Sequence, residues 1–342
     1  MIKKMLFIIL VLMTVWSGSF DCNAEAAKDT AGDLWPETQP YKTGYLKVSD
    51  IHQIYYQLGG NPEGKPVMVL HGGPGAYCSP FNFRYFNPQK FHVILHDQRG
   101  AGKSKPYAEL KENNTQSLVE DIERLRTHFK LGKVILFGGS WGSTLALAYA
   151  EKYPENVSGM VLRGIFTAAR DEIDHFYHGG TAVHFPLVHR KLCAFIPDPG
   201  KKNYPAQLLE KLISPDKAVR DKYAKAWAMY EGKLAFLDMP DQQLEQMLGH
   251  WPIYAFALLE NHYMANGCFF EERQLLNNAH KIKDIPIIMV NGRFDVICPP
   301  RNAYRLKEIL PKAVVVIAEK AGHSASELPV QQELVKAVRT FE

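Results

Sequence analysis

Gly138-Gly139-Ser140-Trp141-Gly142 joins a β-branched apolar run from Val134 to Phe137 to the helix-forming Thr144-Leu145-Ala146-Leu147-Ala148-Tyr149-Ala150. Strand, sharp turn and helix around Gly-x-Ser-x-Gly is the setting in which a serine hydroxyl becomes an exposed nucleophile. Gly138 and Gly142 carry no Cβ to collide where strand and helix converge, so Ser140 can be held in a strained backbone. On its own such a motif can also be a Gly/Ser-rich turn, and the serine needs a base before it can react.

Two later apolar runs each end in a candidate partner. Ile285 to Val290 leads into Asn291-Gly292-Arg293-Phe294-Asp295, and Val314 to Ala318 leads into Lys320-Ala321-Gly322-His323-Ser324. Doubly wound sheets build their sites at the carboxyl ends of strands. Ser140, Asp295 and His323 also follow the chain order of a nucleophile, its orienting acid and its base on such a sheet. In that arrangement His323 takes the Ser140 proton and returns it to the leaving group, while Asp295 fixes the imidazole tautomer. Serine rather than aspartate at the elbow favours acyl transfer over epoxide or haloalkane chemistry.

A third run, Val67 to Leu70, ends in His71-Gly72-Gly73-Pro74-Gly75. With so few side chains, its backbone can approach a ligand. The Gly73 N–H paired with the Trp141 N–H suits an oxyanion hole, and His71 reads as an organiser of the loop. The loop Asp97-Gln98-Arg99-Gly100-Ala101-Gly102-Lys103-Ser104 lacks the glycine spacing of a P-loop, which argues against nucleotide binding.

Two glutamates bear on the substrate. Val219, Tyr223, Trp227 and Glu231 recur every four residues after Ser214-Pro215, a pair suited to cap and open a helix. Phe256, Glu260 and Met264 share that spacing in a helix near Tyr254 to Ala265. A carboxylate continuing an apolar stripe is costly to bury without a partner. Each could end in water or in a salt bridge. Alternatively, both line a cavity above Ser140 and bind a cation, at about 1.5–3 kcal/mol per charge-assisted bond. A free amine beside the scissile carbonyl is what an aminopeptidase must recognise.

The elements that must position these residues follow in order. Tyr45 to Val48 and Ile51 to Leu58 alternate as two antiparallel strands. Buried runs then alternate with helices, one of them capped by Thr115 and stopped by Gly132. The pattern predicts an α/β fold with a mostly parallel sheet and helices on both faces. From residue 168 to 279 the alternation stops and helix formers dominate, as expected of an all-helical insertion, before the α/β pattern resumes over 280–342. The first part of the core is then 27–167.

Residues 1–26 read as a signal peptide. Lys3 and Lys4 precede an apolar stretch from Met5 to Trp16, too short to span a bilayer, and Ala24-Glu25-Ala26 is a cleavage site. Cys22 follows Ser19-Phe20-Asp21, a poor lipobox. Export to the periplasm or medium is expected, with no stable membrane insertion once the leader is cut. Disulfides are permissible there, although spacing alone pairs none of Cys78, Cys193, Cys268 and Cys298. The net charge is +4 with acids and bases mixed, and no basic stretch is interleaved with aromatics, which argues against nucleic acid as a partner.

Taken together, His71-Gly72-Gly73-Pro74-Gly75, Asp97-Gln98-Arg99-Gly100, Gly138 to Gly142, Leu162-Arg163-Gly164-Ile165-Phe166, Glu260-Asn261-His262-Tyr263 and Gly292-Arg293-Phe294-Asp295 resemble the proline iminopeptidases of the α/β-hydrolase fold. The resemblance runs from about Tyr41 to the C-terminus. It implies an inserted helical cap and hydrolytic release of N-terminal proline from peptides with a free amine, without a metal or other cofactor. It implies Ser140, Asp295 and His323 as the triad, Glu231 and Glu260 as the amine-binding pair, and Phe166 and Cys298 as walls of the proline pocket. It also implies inhibition by thiol reagents. Some positions depart from the family pattern: Tyr230 before Glu231, His175 before Phe176-Tyr177, Met264, and Lys103 in the Gly-rich loop. Two alternatives stand beside this reading. One is a cap-domain esterase, lactonase or amidase acting on a small acyl compound; the other is a catalytically inactive hydrolase fold used for binding.

Overall fold

The computed structural model describes residues 32–342. The signal peptide expected at 1–26 lies outside the described residues. Eight strands form one sheet: β1 (Lys42–Lys47), β2 (Gln53–Gly60), β3 (Lys65–Leu70), β4 (Phe91–His96), β5 (Val134–Gly139), β6 (Val157–Arg163), β7 (Ile287–Gly292) and β8 (Val314–Ala318). Their order across the sheet is β1-β2-β4-β3-β5-β6-β7-β8. β2 runs antiparallel to both neighbours, and every pair from β4 onward is parallel.

Period-two alternation sorts the side chains onto two faces. Met68, Leu70, Ile94, Leu136, Met160 and Leu162 belong to the core shared with α1 (Thr115–His128) and α2 (Trp141–Lys152). Val67, Val69, Val93, Leu95, Ile135 and Phe137 face a second core closed by a 3-10 turn at Pro80–Tyr85 and by the C-terminal helix. With both faces covered, β3 to β5 read as continuous hydrophobic runs, as parallel strands must. The expected α/β architecture is therefore present.

Eight helices connect β6 to β7: α3 (Arg170–His178), α4 (Gly180–His184), α5 (Pro186–Cys193), α6 (Tyr204–Leu212), α7 (Lys217–Ala235), α8 (Asp241–Leu248), α9 (Ile253–Ala265) and α10 (Gln274–Asn278). α11 (Pro300–Ile309) and α12 (Leu328–Arg339) complete the chain. The end of α7 is tied to the loop after β8. The Ala235 carbonyl accepts from the N–H groups of His323 (3.0 Å) and Ser324 (2.7 Å). Glu327 accepts from Leu237 N (2.8 Å) and Gly322 N (2.6 Å).

Three local expectations are corrected. Asn114, not Thr115, caps α1, its side chain accepting from Ser117 N at 2.9 Å. Thr115 Oγ1 instead donates to the Cys268 carbonyl at 2.5 Å. The turn out of α1 is made at Lys130 (φ +54°), before Gly132, with the Arg126 guanidinium bracing the Leu131 and Gly132 carbonyls. α7 starts after Asp216, whose carboxylate accepts from Ala218 N at 2.8 Å, two residues past Ser214. Cys78, Cys193, Cys268 and Cys298 are all free thiols. Among the described residues no helix is long and apolar enough to cross a membrane.

Candidate functional site

Ser140 has φ +57° and ψ −127°, a left-handed conformation costing about 1–3 kcal/mol for a non-glycine residue. The turn is over-determined. Ser140 N donates to the Arg163 carbonyl on β6 (2.8 Å), and Ser143 Oγ donates to the Ser140 carbonyl (2.7 Å) while accepting from Phe166 N (3.1 Å). A Cβ on Gly138 would lie 2.3 Å from the Gly142 carbonyl oxygen, and one on Gly142 would lie 2.1 Å from that of Leu70. Only glycine fits at either position, so the elbow cannot form without both.

Asp295 follows β7 and His323 follows β8. His323 Nδ1 donates to Asp295 Oδ2 at 2.7 Å. Oδ1 of the same carboxylate accepts from the backbone of Ile297 (3.0 Å) and Cys298 (2.8 Å). That carboxylate is fixed on the Nδ1–H tautomer, which leaves a lone pair on Nε2. Here the arrangement differs from the simplest expectation. Nε2 accepts from Arg163 Nη1 at 2.9 Å, and the same Nη1 donates to the His323 carbonyl at 2.8 Å. Ser140 and His323 share no hydrogen bond; Ser140 and Cys298 face the same narrow cavity. Burial holds the His323 pKa below the ordinary imidazole value; Asp295 opposes this and the Arg163 cation adds to it.

Gly73 (φ +100°) and Trp141, the first residue of α2, present N–H groups that no other group of the described protein takes up. Gln98 fixes their relative position. Its side-chain amide donates to the His71 carbonyl (2.9 Å) and accepts from the Trp141 indole (2.9 Å). Its backbone N–H donates to His71 Nε2 (2.9 Å). Burial pushes His71 down to about 4, so the ring stays neutral and can accept that bond. The loop-organiser role expected of His71 thus has a visible geometry. The Gly-rich loop serves the fold as well: Asp97 accepts from Cys78 N (2.9 Å) and Lys103 N (2.8 Å).

Two cavities meet at Ser140 and Gly73. The narrow one is walled by Phe166, Phe176, Glu260, Met264 and Cys298, with Glu172 at its edge. The wide one, about 430 Å³, is bordered by Arg163, Glu231 and His323. Glu231 on α7 and Glu260 on α9 are in side-chain hydrogen-bond contact, and Glu260 Oε2 accepts from Trp227 Nε1 at 2.7 Å. Burial raises the pKa of both carboxyls, and the Glu231 charge raises Glu260 further. Two acidic groups in contact must share a proton. Glu231 Oε2 is buried and receives no hydrogen bond from any donor of the described protein other than that shared proton. Such a pair can trade its proton for a cation.

Of the residues singled out in the sequence, Gly73, Ser140, Phe166, Glu260 and Cys298 line the narrow cavity and Glu231 and His323 the wide one; Asp295 bonds to His323 and Trp141 follows Ser140 at the start of α2, while Ser140 and His323 are not joined by a hydrogen bond. Arg163, Gln98 and Glu172 were not assigned roles. Arg163 ends the strand next to the Ser140 strand and falls within Leu162-Arg163-Gly164-Ile165-Phe166, the two signals that could have singled it out. Glu172 accepts from Thr167 N (2.7 Å) and Thr167 Oγ1 (2.8 Å), and burial pushes it up to about 7.

The α/β-hydrolase fold family matches residues 65–329. A proline iminopeptidase of Xylella fastidiosa (strain 9a5c) is 44% identical over 309 residues, covering 90% of this chain and 99% of that one. One from Xanthomonas citri is 45% identical over 312 residues, with coverage of 90% and 99%. One from Arabidopsis thaliana is 43% identical, with coverage of 89% and 80%. The chain belongs to the proline iminopeptidase family. Solved structures add likeness of fold. The esterase EaEST from Exiguobacterium antarcticum superposes with a TM-score of 0.62 at 20% identity, over 88% of this chain and 99% of that one. The α/β hydrolase MGS-M2 from a deep-sea metagenome gives 0.63 at 17% identity, over 87% and 96%. Within the proline iminopeptidase pattern, two departures fall near the site. The His175 ring bonds to the Val296 carbonyl (2.8 Å), and Met264 lines the narrow cavity, where an unbranched thioether adapts its shape.

Proposed function

We propose that this protein is a serine aminopeptidase that releases N-terminal proline from peptides through an acyl-enzyme on Ser140. The observation that carries this reading is the Glu231–Glu260 pair, two carboxyls in contact beside the nucleophile, Glu260 fully buried and Glu231 half-buried. The substrate ammonium displaces the shared proton, and the first residue's ring enters the narrow cavity against Phe166 and Cys298, which opens from its present volume of about 20 Å³ as Met264 adjusts. Ser140 Oγ attacks the carbonyl as His323 Nε2 takes its proton. The oxyanion accepts from the Gly73 and Trp141 N–H groups. Collapse breaks the C–N bond, with His323 returning the proton to the leaving nitrogen, and water then releases proline by the same steps.

Arg163 must leave His323 Nε2 for this sequence to begin. In this reading residues 168–279 act as the cap, and residues 1–26 as a leader that exports the enzyme.

Hydrolysis of Pro-p-nitroanilide, compared with its N-acetyl derivative and with simple esters, tests the proposal. Activity confined to the free amine is expected. Equal turnover of the blocked substrate refutes amine recognition and favours the esterase alternative. Ser140→Ala should abolish both turnover and labelling by a fluorophosphonate, and turnover that persists refutes the nucleophile. N-terminal sequencing of the exported protein tests the leader; a chain that keeps Met1 refutes its removal.

A further inference from the structure

The acyl half of the substrate does not account for the wide cavity. We infer that this cavity is the leaving-group subsite and that it selects peptides whose second residue carries a bulky apolar side chain. The inference rests on the aminopeptidase reading above.

The direction of the chain follows from the proton. The departing nitrogen must receive its proton from His323 Nε2, so the peptide beyond the scissile bond lies on the side that His323 faces. His323 and Arg163 border the wide cavity and are absent from the walls of the narrow one. Glu260 stands on the narrow wall and Glu231 on the wide one, so the amine sits at their junction; the narrow side, about 20 Å³, must widen at the adaptable Met264 to take the first residue's ring.

The preference follows from the lining. Past the catalytic groups Tyr77, Phe81, Met247, Leu248, Trp251 and Phe256 dominate the walls, with Asn82, Ser324 and Ser326 adding uncharged polar groups. Trp251 makes edge contacts with both Tyr77 (5.8 Å between ring centres) and Phe256 (5.7 Å), giving a continuous aromatic surface. The charged groups on the walls, Arg163 and Glu231, are those already engaged beside Ser140. Nothing further out awaits a charged side chain, and burying one unpaired is costly. A volume of about 430 Å³ lies within the range of small-ligand pockets and holds a large side chain with room to spare.

The test is a rate comparison on Pro-Phe-amide, Pro-Leu-amide, Pro-Gly-amide and Pro-Asp-amide with the full chain. The kcat/KM for Phe and Leu should exceed that for Gly by about tenfold or more, the ratio expected from burying one apolar side chain, and Asp should fall below Gly. Trp251→Ala should lower the Phe-to-Gly ratio at least threefold. Phe81→Ala, at the partly exposed rim, should lower it in the same direction without touching the core. A flat profile, an acidic residue accepted as well as Phe, or a ratio unmoved in both variants overturns the inference and leaves the aminopeptidase reading standing. No turnover of any of the four amides, with blocked substrates hydrolysed instead, overturns that reading and this inference with it.

Discussion

Replacing Glu260 by Gln isolates the charge from the packing. The side chain keeps its shape, and the amide oxygen can still accept from Trp227 Nε1, which now bonds to Glu260 Oε2 at 2.7 Å. The Tyr177–Trp227 stack (4.9 Å, 17°) behind it has no reason to move. What is lost is one carboxylate for the substrate ammonium. A charge-assisted hydrogen bond is worth about 1.5–3 kcal/mol, so kcat/KM for Pro-p-nitroanilide should fall by about 10- to 150-fold. Labelling of Ser140 by a fluorophosphonate, which carries no amine, should stay within about twofold. The pH profile should change too. Both glutamates titrate above the ordinary carboxylate range because of burial, so the wild-type pair still holds its proton in mildly acidic solution. An ammonium ion must expel that proton. Wild-type kcat/KM should therefore climb with pH through that range, and Glu260→Gln should flatten the climb. Unchanged kcat/KM, or a labelling rate that falls by the same factor as peptide hydrolysis, would show the glutamate to be structural.

Burial is the main cause of the low His323 pKa, and Arg163→Met removes the cation that adds to it, so the imidazole should titrate higher, as followed by NMR of the ring protons; no upward movement refutes the Arg163–His323 contact. Gln98→Ala disconnects the Trp141 indole from the His71 carbonyl, and kcat should drop about 10- to 100-fold with KM little changed; a rise in KM at constant kcat refutes a role in placing the oxyanion donors. Glu151 is buried against α10 with Oε1 unpartnered, and burial pushes it up to about 8. Its folded pKa lies above the unfolded value near 4.5. The penalty for ionising it is therefore absent in acid and grows as pH rises through the window between the two. Glu151→Gln should accordingly raise stability by about 2–4 kcal/mol at pH 9 and by almost nothing at pH 4, measured by urea unfolding, and a pH-independent difference refutes this.

The nucleophile, its acid and its base were legible because each follows a strongly apolar run, and a parallel sheet gathers strand ends along one edge. The glutamates were legible as charges breaking an apolar stripe. Arg163 was not, because its meaning lies in a partner 160 residues away on another strand end. Gln98 is polar in a loop of polar residues, and only the crossing of that loop with the elbow makes it a clamp. Helix starts slipped where neighbouring residues compete as caps. Asn114 and Asp216 each won over a residue equally able to cap, because the cap is decided by which backbone turns first.

The bonds from Ala235 to His323 and Ser324, and from Glu327 to Leu237 and Gly322, bear on how far this enzyme can be re-engineered. The helix carrying Glu231 and the segment carrying His323 are two ends of one hydrogen-bonded frame. Transplanting a foreign insertion between β6 and β7 would import new specificity and unseat the imidazole in the same step. A working chimera should need residues 322–327 to travel with the donor's α7. By the same logic, substitutions in these two stretches should be inherited as a set.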